Sequence, residues 1–192
     1  VAQGIRYIED FKLQNFEKKP VVICSLGDNS VTEGEVAEAF QFAALHQLPI
    51  IFLVQDNEWG ISVTKEEART SDAYDYAAAF VGLNRMRIDG TDFVESFIQM
   101  QKAVHFVREE RKPLLVCAKT VLIGHHTSGV RREFYRDEAD LAKHRAKDPG
   151  IILKKYLLDE GFSEETLSQI EIEARKQIEE DFNKAILAPD PK

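Results

Sequence analysis

Two short motifs in this 192-residue chain carry side chains that are suited to a hard metal ion. Asp28 lies in Gly27-Asp28-Asn29 and Asn57 lies in Asp56-Asn57, with 26 residues between the two motifs. Carboxylate and amide oxygens are ligands that Mg²⁺ accepts, and the ion readily takes its remaining ligands from a diphosphate. The spacing therefore indicates a site for Mg²⁺ and a diphosphate. A plain turn after a strand is the alternative for the first motif.

Each motif follows an apolar run, 21–26 for the first and 49–54 for the second. Apolar patterning predicts strands at about 20–26, 49–55, 83–88 and 113–120, and helices at about 1–16, 35–45, 74–80, 92–110, 138–146, 150–160 and 164–187. Alternating strands and helices predict an α/β fold, with a doubly wound, mostly parallel sheet and a helical C-terminal extension. Ligands bind at the carboxyl ends of strands in such sheets, where both motifs fall.

The pattern divides the chain into three parts. Residues 1–123 are predicted to form the α/β domain that binds metal and diphosphate. Residues 124–137 lack periodicity and form a predicted loop that contains His125 and His126. Residues 138–192 are predicted to be a helical extension of the same domain.

Local signals give three further expectations. Thr32 and Glu35 have the spacing of a capping box, which predicts a helix start at this point. Cys24 and Cys117 lie in apolar runs, so both are expected to be buried free thiols, as suits a reducing cytoplasm. The polar segment 65–69 is expected to be a solvated loop, with gating of a substrate channel as the alternative.

Composition excludes several classes of function. The chain is 44% hydrophobic and 30% charged, as in a globular domain, and its net charge is −8. An acidic chain is not expected to bind nucleic acid generally, and no apolar run is long enough to span a membrane. No signal peptide is visible at the start. The chain begins without Met and within a helical pattern, so we expect a fragment of a longer protein.

The segment from Asp28 to Val63 resembles the thiamine-diphosphate motif of 2-oxo acid dehydrogenase E1 alpha subunits. That family pattern is Gly-Asp-Gly, 26 residues and Asn-Asn. Residues 55–63, Gln-Asp-Asn-Glu-Trp-Gly-Ile-Ser-Val, are most similar to the branched-chain (2-oxoisovalerate) type. The likeness continues through 87–92 and through Ile-Gly-His-His-Thr-Ser at 123–128, and it covers nearly the whole chain.

The resemblance implies a role for several residues. It implies the thiamine-diphosphate-binding fold, with thiamine diphosphate and Mg²⁺ as cofactors. The implied metal ligands are Asp28, Asn57 and the backbone carbonyl of Trp59, and the implied diphosphate contacts are Asn29, Ser30 and Gln55. His126 matches the histidine that reaches the cofactor and stabilises charge on the reacting species. Without the resemblance, a solvated surface pair or a separate metal site remains open for His125-His126.

Four positions depart from the family pattern. Asn29 replaces a glycine, Asp56 replaces an asparagine, and Gln55 and Leu122 each replace an arginine. Two phosphate-facing positive charges are therefore missing, and one negative charge is added. The cations that could compensate are Arg131, Arg132 and Lys119.

The implied activity is that of an E1 component: oxidative decarboxylation of a 2-oxo acid, with a branched-chain acid favoured, and acyl transfer to a lipoyl group. The implied partners are an E1 beta subunit or a fused beta domain, and an E2 component that bears the lipoyl group. We expect an oligomer in the cytoplasm. The alternatives are a degenerate or incomplete family member that acts as a structural or binding module with weak cofactor affinity, and another thiamine-diphosphate carboligase or decarboxylase.

Overall fold

A computed structural model describes residues 1–127 and 129–190. The chain divides into two compact units, Val1–Pro149 and Gly150–Lys192. The predicted extension, which starts at residue 138 and was expected to belong to the same domain, stays a prediction; the first unit continues to Pro149. The helix that follows residue 137 belongs to the first unit because Leu141 and His144 are buried in it, and the backbone N–H of Leu122 donates to Nδ1 of His144 at 3.0 Å.

Six strands occur within the described residues. They are β1 (Val22–Gly27), β2 (Ile50–Asp56), β3 (Trp59–Gly60), β4 (Val63–Thr64), β5 (Asn84–Asp89) and β6 (Leu114–Lys119). Four of them form a parallel sheet in the order β1-β2-β6-β5, and β3 and β4 form a short antiparallel pair. The predicted α/β class with a parallel sheet is confirmed.

Helices connect the parallel strands and complete the chain. They are α1 (Ala2–Asp10), α2 (Gly34–Leu45), α3 (Lys65–Ala68), α4 (Ala73–Tyr76), α5 (Phe93–Glu110), α6 (Glu138–Arg145), α7 (Pro149–Asp159) and α8 (Glu164–Leu187). Short 3₁₀ segments span Asp28–Thr32, Ala77–Ala79 and Arg132–Phe134. No helix of residues 1–127 and 129–190 has both the length and the apolar character needed to cross a membrane.

The two faces of the sheet are covered by different helices. One core cluster contains Phe40 of α2 with Phe52 and Val54 of β2, and the rings of Phe40 and Phe52 meet edge to face at 4.8 Å. The other contains Val107 of α5 with Ile51 of β2. Successive residues of β2 thus point into opposite cores, as the period of a strand buried on both faces requires.

The second unit contains α8 and almost all of α7. Ser163 caps α8 by accepting a hydrogen bond from the backbone N–H of Thr166 at 3.2 Å. Lys154 of α7 pairs with Glu164 and Glu171 of α8, at 3.2 and 3.6 Å. These contacts join the two helices within the unit.

Three local expectations were wrong. The first helix ends at Asp10 rather than 16, and Lys12 two residues later has a φ of 53°, outside the right-handed helical region. The Thr32 capping box does not form, because Asp28–Thr32 make a 3₁₀ turn and Glu33 precedes the helix. Cys24 is exposed rather than buried, because β1 is an edge strand, whereas Cys117 on central β6 is buried as expected.

Candidate functional site

The strand register brings charged residues from distant parts of the sequence to one edge of the sheet. Gly27 pairs with Gln55 in register, so the next residues of the two strands, Asp28 and Asp56, follow at the same edge. Asp56 in turn lies opposite Lys119 at the end of β6. The carboxyl edge therefore presents two carboxylates and a lysine side by side.

Arg69 bridges the two carboxylates. Its Nη2 lies 2.5 Å from Oδ2 of Asp28 and 3.0 Å from Oδ1 of Asp56. All three side chains are buried, with 5%, 2% and 0% of the side-chain surface exposed for Arg69, Asp28 and Asp56. The segment containing Arg69 was expected to be a solvated loop. That expectation was wrong for Arg69, whose guanidinium is enclosed by the cluster.

Lys119 completes the charge balance of this cluster. Its ammonium donates to Oδ2 of Asp56 and lies 4.0 Å from Asp72. Burial raises the pKa of the Asp28 carboxyl, and the hydrogen bond from Arg69 offsets only part of that effect. Burial acts in the same sense on Asp56, but the hydrogen bond and charge of Lys119 outweigh it and lower the pKa of Asp56. The cluster thus contains two acidic groups and two basic ones.

The oxygens of Asp56 and Asp72 and the sulfur of Cys117 lie within 4.8 Å of one another, a spacing that a metal ion could use. Burial raises the pKa of the Cys117 thiol to about 11, so the sulfur stays protonated near neutral pH. The Lys119 ammonium already contacts the Asp56 carboxylate. This group is therefore better explained as part of the Lys119 ion pair than as a metal site.

Asn29 occupies a close-fitting position next to β3. Its Oδ1 accepts a hydrogen bond from Nη1 of Arg69. A Cβ added to Gly60 would lie 1.7 Å from Nδ2 and 2.9 Å from Cβ of Asn29. Gly60 therefore provides the room for the side chain at position 29.

The other residues expected at the cofactor lie on the same edge. Oδ1 of Asn57 accepts the backbone N–H of Trp59 at 2.9 Å, and Nε2 of Gln55 donates to Oγ of Ser25 at 2.8 Å. Ser30 lies in the 3₁₀ turn that leads to α2. Within the described residues, no side chain caps the first turn of α2, which leaves its N-terminus suited to an anion.

The loop that contains His126 has a different character. His126 and Thr127 are exposed, and Ser128 lies outside the described residues. By contrast, the Arg136 side chain at the end of the loop is fully buried, where it donates to the carbonyl of Leu122 and to Asp140, each at 2.6 Å. Its guanidinium also lies 5.1 Å from the ring of Trp59. The base of the loop is anchored while the imidazole of His126 faces solvent.

Of the three cations proposed to compensate for the missing arginines, the structure brings only Lys119 into the cluster. Arg131 and Arg132 instead pair with Glu133 at 3.6 Å each, within the loop. Arg69 was not among the three. Its only sequence signal was a lone arginine in a polar segment. The segment that separates it from Asp56, 13 positions earlier, has no periodic pattern that would predict the contact.

A cavity of about 410 Å³ adjoins the cluster. Its wall includes Asp56 and Lys119 at the strand ends, Arg87 of β5, and Lys143 and His144 of α6. The wall thus combines both signs of charge next to the paired carboxylates. A ligand in this space would contact Lys119 directly.

The donor set at this edge fits a hard cation. The residues supply carboxylate and amide oxygens, which suit Mg²⁺. A cationic guanidinium already bridges the two carboxylates, which shows that the surroundings favour positive charge there. The amide oxygen of Asn57 has a second lone pair beyond the one used by Trp59, so its turn is compatible with a metal.

Comparison with known proteins shows the family to which the chain belongs. Residues 7–192 match the family model described as "Dehydrogenase E1 component". The chain belongs to the dehydrogenase E1 component family. That membership covers the sheet edge, the loop and both C-terminal helices.

The relatives of this E1-family chain are named for more than one 2-oxo acid. The chain is 30% identical to a pyruvate dehydrogenase E1 component subunit alpha of Rickettsia conorii, over 94% of this chain and 54% of that protein. It is 29% identical to a 3-methyl-2-oxobutanoate dehydrogenase subunit alpha of Mycobacterium tuberculosis, over 92% of this chain and 48% of that protein. The chain thus spans about half the length of these curated relatives.

A solved structure also matches in part. The chain is 23% identical to a transketolase from Campylobacter jejuni, with a TM-score of 0.48 over 62% of this chain and 20% of that one. The parallel sheet and its strand order follow from the strand pairing of this chain and do not depend on this likeness.

Proposed function

We propose that this chain is the metal- and diphosphate-binding part of a thiamine-diphosphate-dependent 2-oxo acid dehydrogenase E1 component, on its alpha side. The observation that carries the proposal is the pair Asp28 and Asp56 at one sheet edge, already bridged by a cationic side chain. Membership of the E1 family and the cavity beside the pair support it.

In this proposal, the residues of the edge hold and orient the cofactor. Asp28, Asn57 and the carbonyl of Trp59 would hold Mg²⁺, and Asn29, Ser30 and the N-terminus of α2 would face the diphosphate. When bound, thiamine diphosphate supplies a nucleophilic carbon and an electron sink for decarboxylation. The share of the protein is fixed positioning and electrostatic support.

His126 would act on the reacting species. An imidazole can donate or accept a proton near neutral pH, and it can stabilise developing negative charge. Its exposure leaves the side chain accessible to a substrate or a partner. We therefore assign His126 to turnover rather than to cofactor affinity.

The substrate is proposed to be a 2-oxo acid, with a branched-chain acid favoured by the likeness of residues 55–63. The partners are proposed to be an E1 beta subunit or a fused beta domain, and a lipoyl-bearing E2 component, in an oligomer in the cytoplasm. Relatives named for pyruvate and for 3-methyl-2-oxobutanoate both match, so the two acids need a direct comparison.

Calorimetry on the complete protein tests the proposal. Thiamine diphosphate should bind in the presence of Mg²⁺ and should bind far more weakly with EDTA. Decarboxylation of pyruvate and of 3-methyl-2-oxobutanoate, followed with an artificial electron acceptor, would then rank the two acids. The proposal would be contradicted if thiamine diphosphate bound equally well without metal. It would also be contradicted if thiamine diphosphate did not bind in the presence of either acid.

A second candidate is a binding module with weak cofactor affinity. It is favoured by the side chain at Asn29, which is packed against Gly60 and bonded to Arg69, and by the neutral residue at Gln55. The same calorimetry separates the two candidates, because the module predicts no saturation with thiamine diphosphate up to millimolar concentration.

A further inference from the structure

Arg69 lies between two carboxylates, one of which, Asp28, is a proposed ligand of the metal ion. Its Nη2 contacts Asp28 at 2.5 Å and Asp56 at 3.0 Å, and its Nη1 donates to Asn29. A divalent cation at Asp28 would compete with the guanidinium for Oδ2, and the two positive charges would repel each other at this distance. Binding of a metal at Asp28 is therefore expected to weaken the hold of this carboxylate on Arg69.

The present arrangement does not satisfy Arg69 completely. Its Nε is buried without a hydrogen-bond partner among the described residues, although only 5% of the side chain is exposed. A buried donor without a partner is destabilising relative to one that is paired. The guanidinium is thus held by its ion pairs, while its Nε remains a buried donor without a partner among the described residues.

The guanidinium of Arg69 is chemically suited to bind a diphosphate. A guanidinium offers five N–H donors in a plane and binds phosphate oxygens through two parallel hydrogen bonds. Gln55, which ends in register with Gly27 at the same edge, is neutral and is bonded to Ser25. Arg69, next to Asn29 at this edge, is therefore a cation that could turn toward a bound phosphate.

The position of Arg69 in the chain allows such a change. It is the C-terminal cap of α3, a helix of four residues, and its backbone is extended, with φ −157° and ψ 152°. The capping box between Thr64 and Glu67 holds the helix independently of the Arg69 side chain. The guanidinium can therefore move without loss of the helix.

We propose that Arg69 is an exchangeable counter-ion that neutralises Asp28 and Asp56 without metal and that, once a divalent cation binds Asp28, transfers hydrogen bonds to the oxygens of the bound diphosphate. The inference rests on the proposed function, because it concerns the same site. It assigns two opposite effects to Arg69. The side chain lowers the affinity for the metal alone, and it raises the affinity for a phosphate ligand once the metal is bound.

The test uses the complete protein with Mn²⁺ as the probe, measured by electron paramagnetic resonance. Wild type and Arg69→Gln are titrated with Mn²⁺ alone, and then with inorganic pyrophosphate at saturating Mn²⁺. We expect Arg69→Gln to bind Mn²⁺ alone at least about tenfold more tightly and pyrophosphate at least about tenfold more weakly. Lys65→Gln is the matched control, because it removes the same charge from the start of α3 and should change neither constant.

The inference is supported if Arg69→Gln raises the affinity for Mn²⁺ alone and lowers the affinity for pyrophosphate. If both affinities fall, Arg69 is structural; if both rise, it only blocks the site; if neither changes, it takes no part. Each of these three results overturns the inference. Should Arg69→Gln not fold, Arg69→Lys is the second variant, because it retains the charge but loses the planar set of N–H donors. It should bind pyrophosphate more weakly, and its affinity for Mn²⁺ without pyrophosphate should stay within about threefold of wild type.

Thiamine diphosphate separates this inference from the proposed function. A wild-type protein that binds Mn²⁺ and pyrophosphate but not thiamine diphosphate would contradict the proposed function. The changes in Mn²⁺ and pyrophosphate affinity caused by Arg69→Gln would still decide the inference about Arg69.

Discussion

The carboxyl edge of β1 and β2 and the loop of residues 124–137 are both proposed to serve one active site, yet they are built in different ways. At the edge, Asp28, Asp56 and Arg69 come from separate segments and meet in a buried cluster of ion pairs. In the loop, Arg136 is buried but His126 is exposed. The sheet therefore preorganises the groups proposed to bind the cofactor, whereas the group proposed to act on substrate is not held in place by burial.

This contrast predicts that changes at the edge affect binding and stability, and that changes in the loop affect turnover. Four substitutions test that division, and the first has the largest expected effect.

Asp28→Asn should reduce metal-dependent binding of thiamine diphosphate by more than about 100-fold, because it removes the anionic ligand while keeping the shape of the side chain. Arg69 retains Asp56 as a partner, so the fold should survive with reduced stability. Calorimetry of the complete protein with Mg²⁺ gives the affinity. The control is Asp75→Asn, a carboxylate that is 57% exposed and paired with Arg87, which should leave the affinity unchanged. Unchanged affinity in Asp28→Asn would remove the metal assignment.

His126→Ala should lower turnover of the 2-oxo acid by about 100-fold and change cofactor affinity by less than about threefold, since a general acid or base acts on the reacting species. Steady-state kinetics and calorimetry on the same preparation give the two values.

The neighbouring histidine supplies the control. Nδ1 of His125 accepts the backbone N–H of Arg132 at 3.2 Å, so His125→Ala disturbs the loop without removing the imidazole of His126. If both variants lose turnover equally, the effect belongs to loop structure and not to His126.

Gly60→Ala should reduce the free energy of unfolding by about 1–3 kcal/mol, because the new Cβ would overlap the side chain of Asn29. The double variant Asn29→Gly/Gly60→Ala removes that overlap and should recover most of the loss, which urea unfolding of all four proteins would measure. Gly34→Ala is the control, because a Cβ there meets nothing within 4 Å. Additive effects in the double variant would show that the two positions do not interact.

Much of the edge was predictable from sequence, and the reason is local. The apolar runs before Asp28 and Asp56 predicted both strands to within two residues, and strand ends in a parallel sheet meet at one edge. The contacts that complete the cluster were not predictable. Lys119 reaches Asp56 because β2 pairs with β6, 63 residues away, and Arg69 follows a short polar helix with no apolar pattern to indicate burial.

The exposed Cys24 illustrates the same limit. The sequence of β1 is as apolar as that of a central strand, but its burial depends on whether a neighbour lies on each side. The structure places β1 at the edge of the sheet, and strand order is set by packing between distant segments and not by the composition of one strand.

The smallest expected effect concerns His144, which anchors the start of the loop. Its Nδ1 accepts the backbone N–H of Leu122 at 3.0 Å, and its Nε2 lies 3.4 Å from Asp140. Burial, reinforced by the positive charge of Arg136, lowers the pKa of His144 below its ordinary value of 6.5, while Asp140 opposes the shift. Lys143 lowers it further and Glu58 acts against it.

A lowered pKa in the folded state means that the unfolded chain binds the proton more readily. The contribution of neutral His144 to stability is therefore complete above pH 6.5 and is lost as the pH falls through the lower pKa of the folded protein. Protonation of Nδ1 removes the acceptor for Leu122, which costs on the order of 1 kcal/mol. Urea unfolding at pH 7.5 and at pH 5.5 should show a smaller loss of stability on acidification for His144→Gln than for wild type. The same loss in both proteins would mean that carboxylates elsewhere, and not this anchor of the loop, set the acid sensitivity.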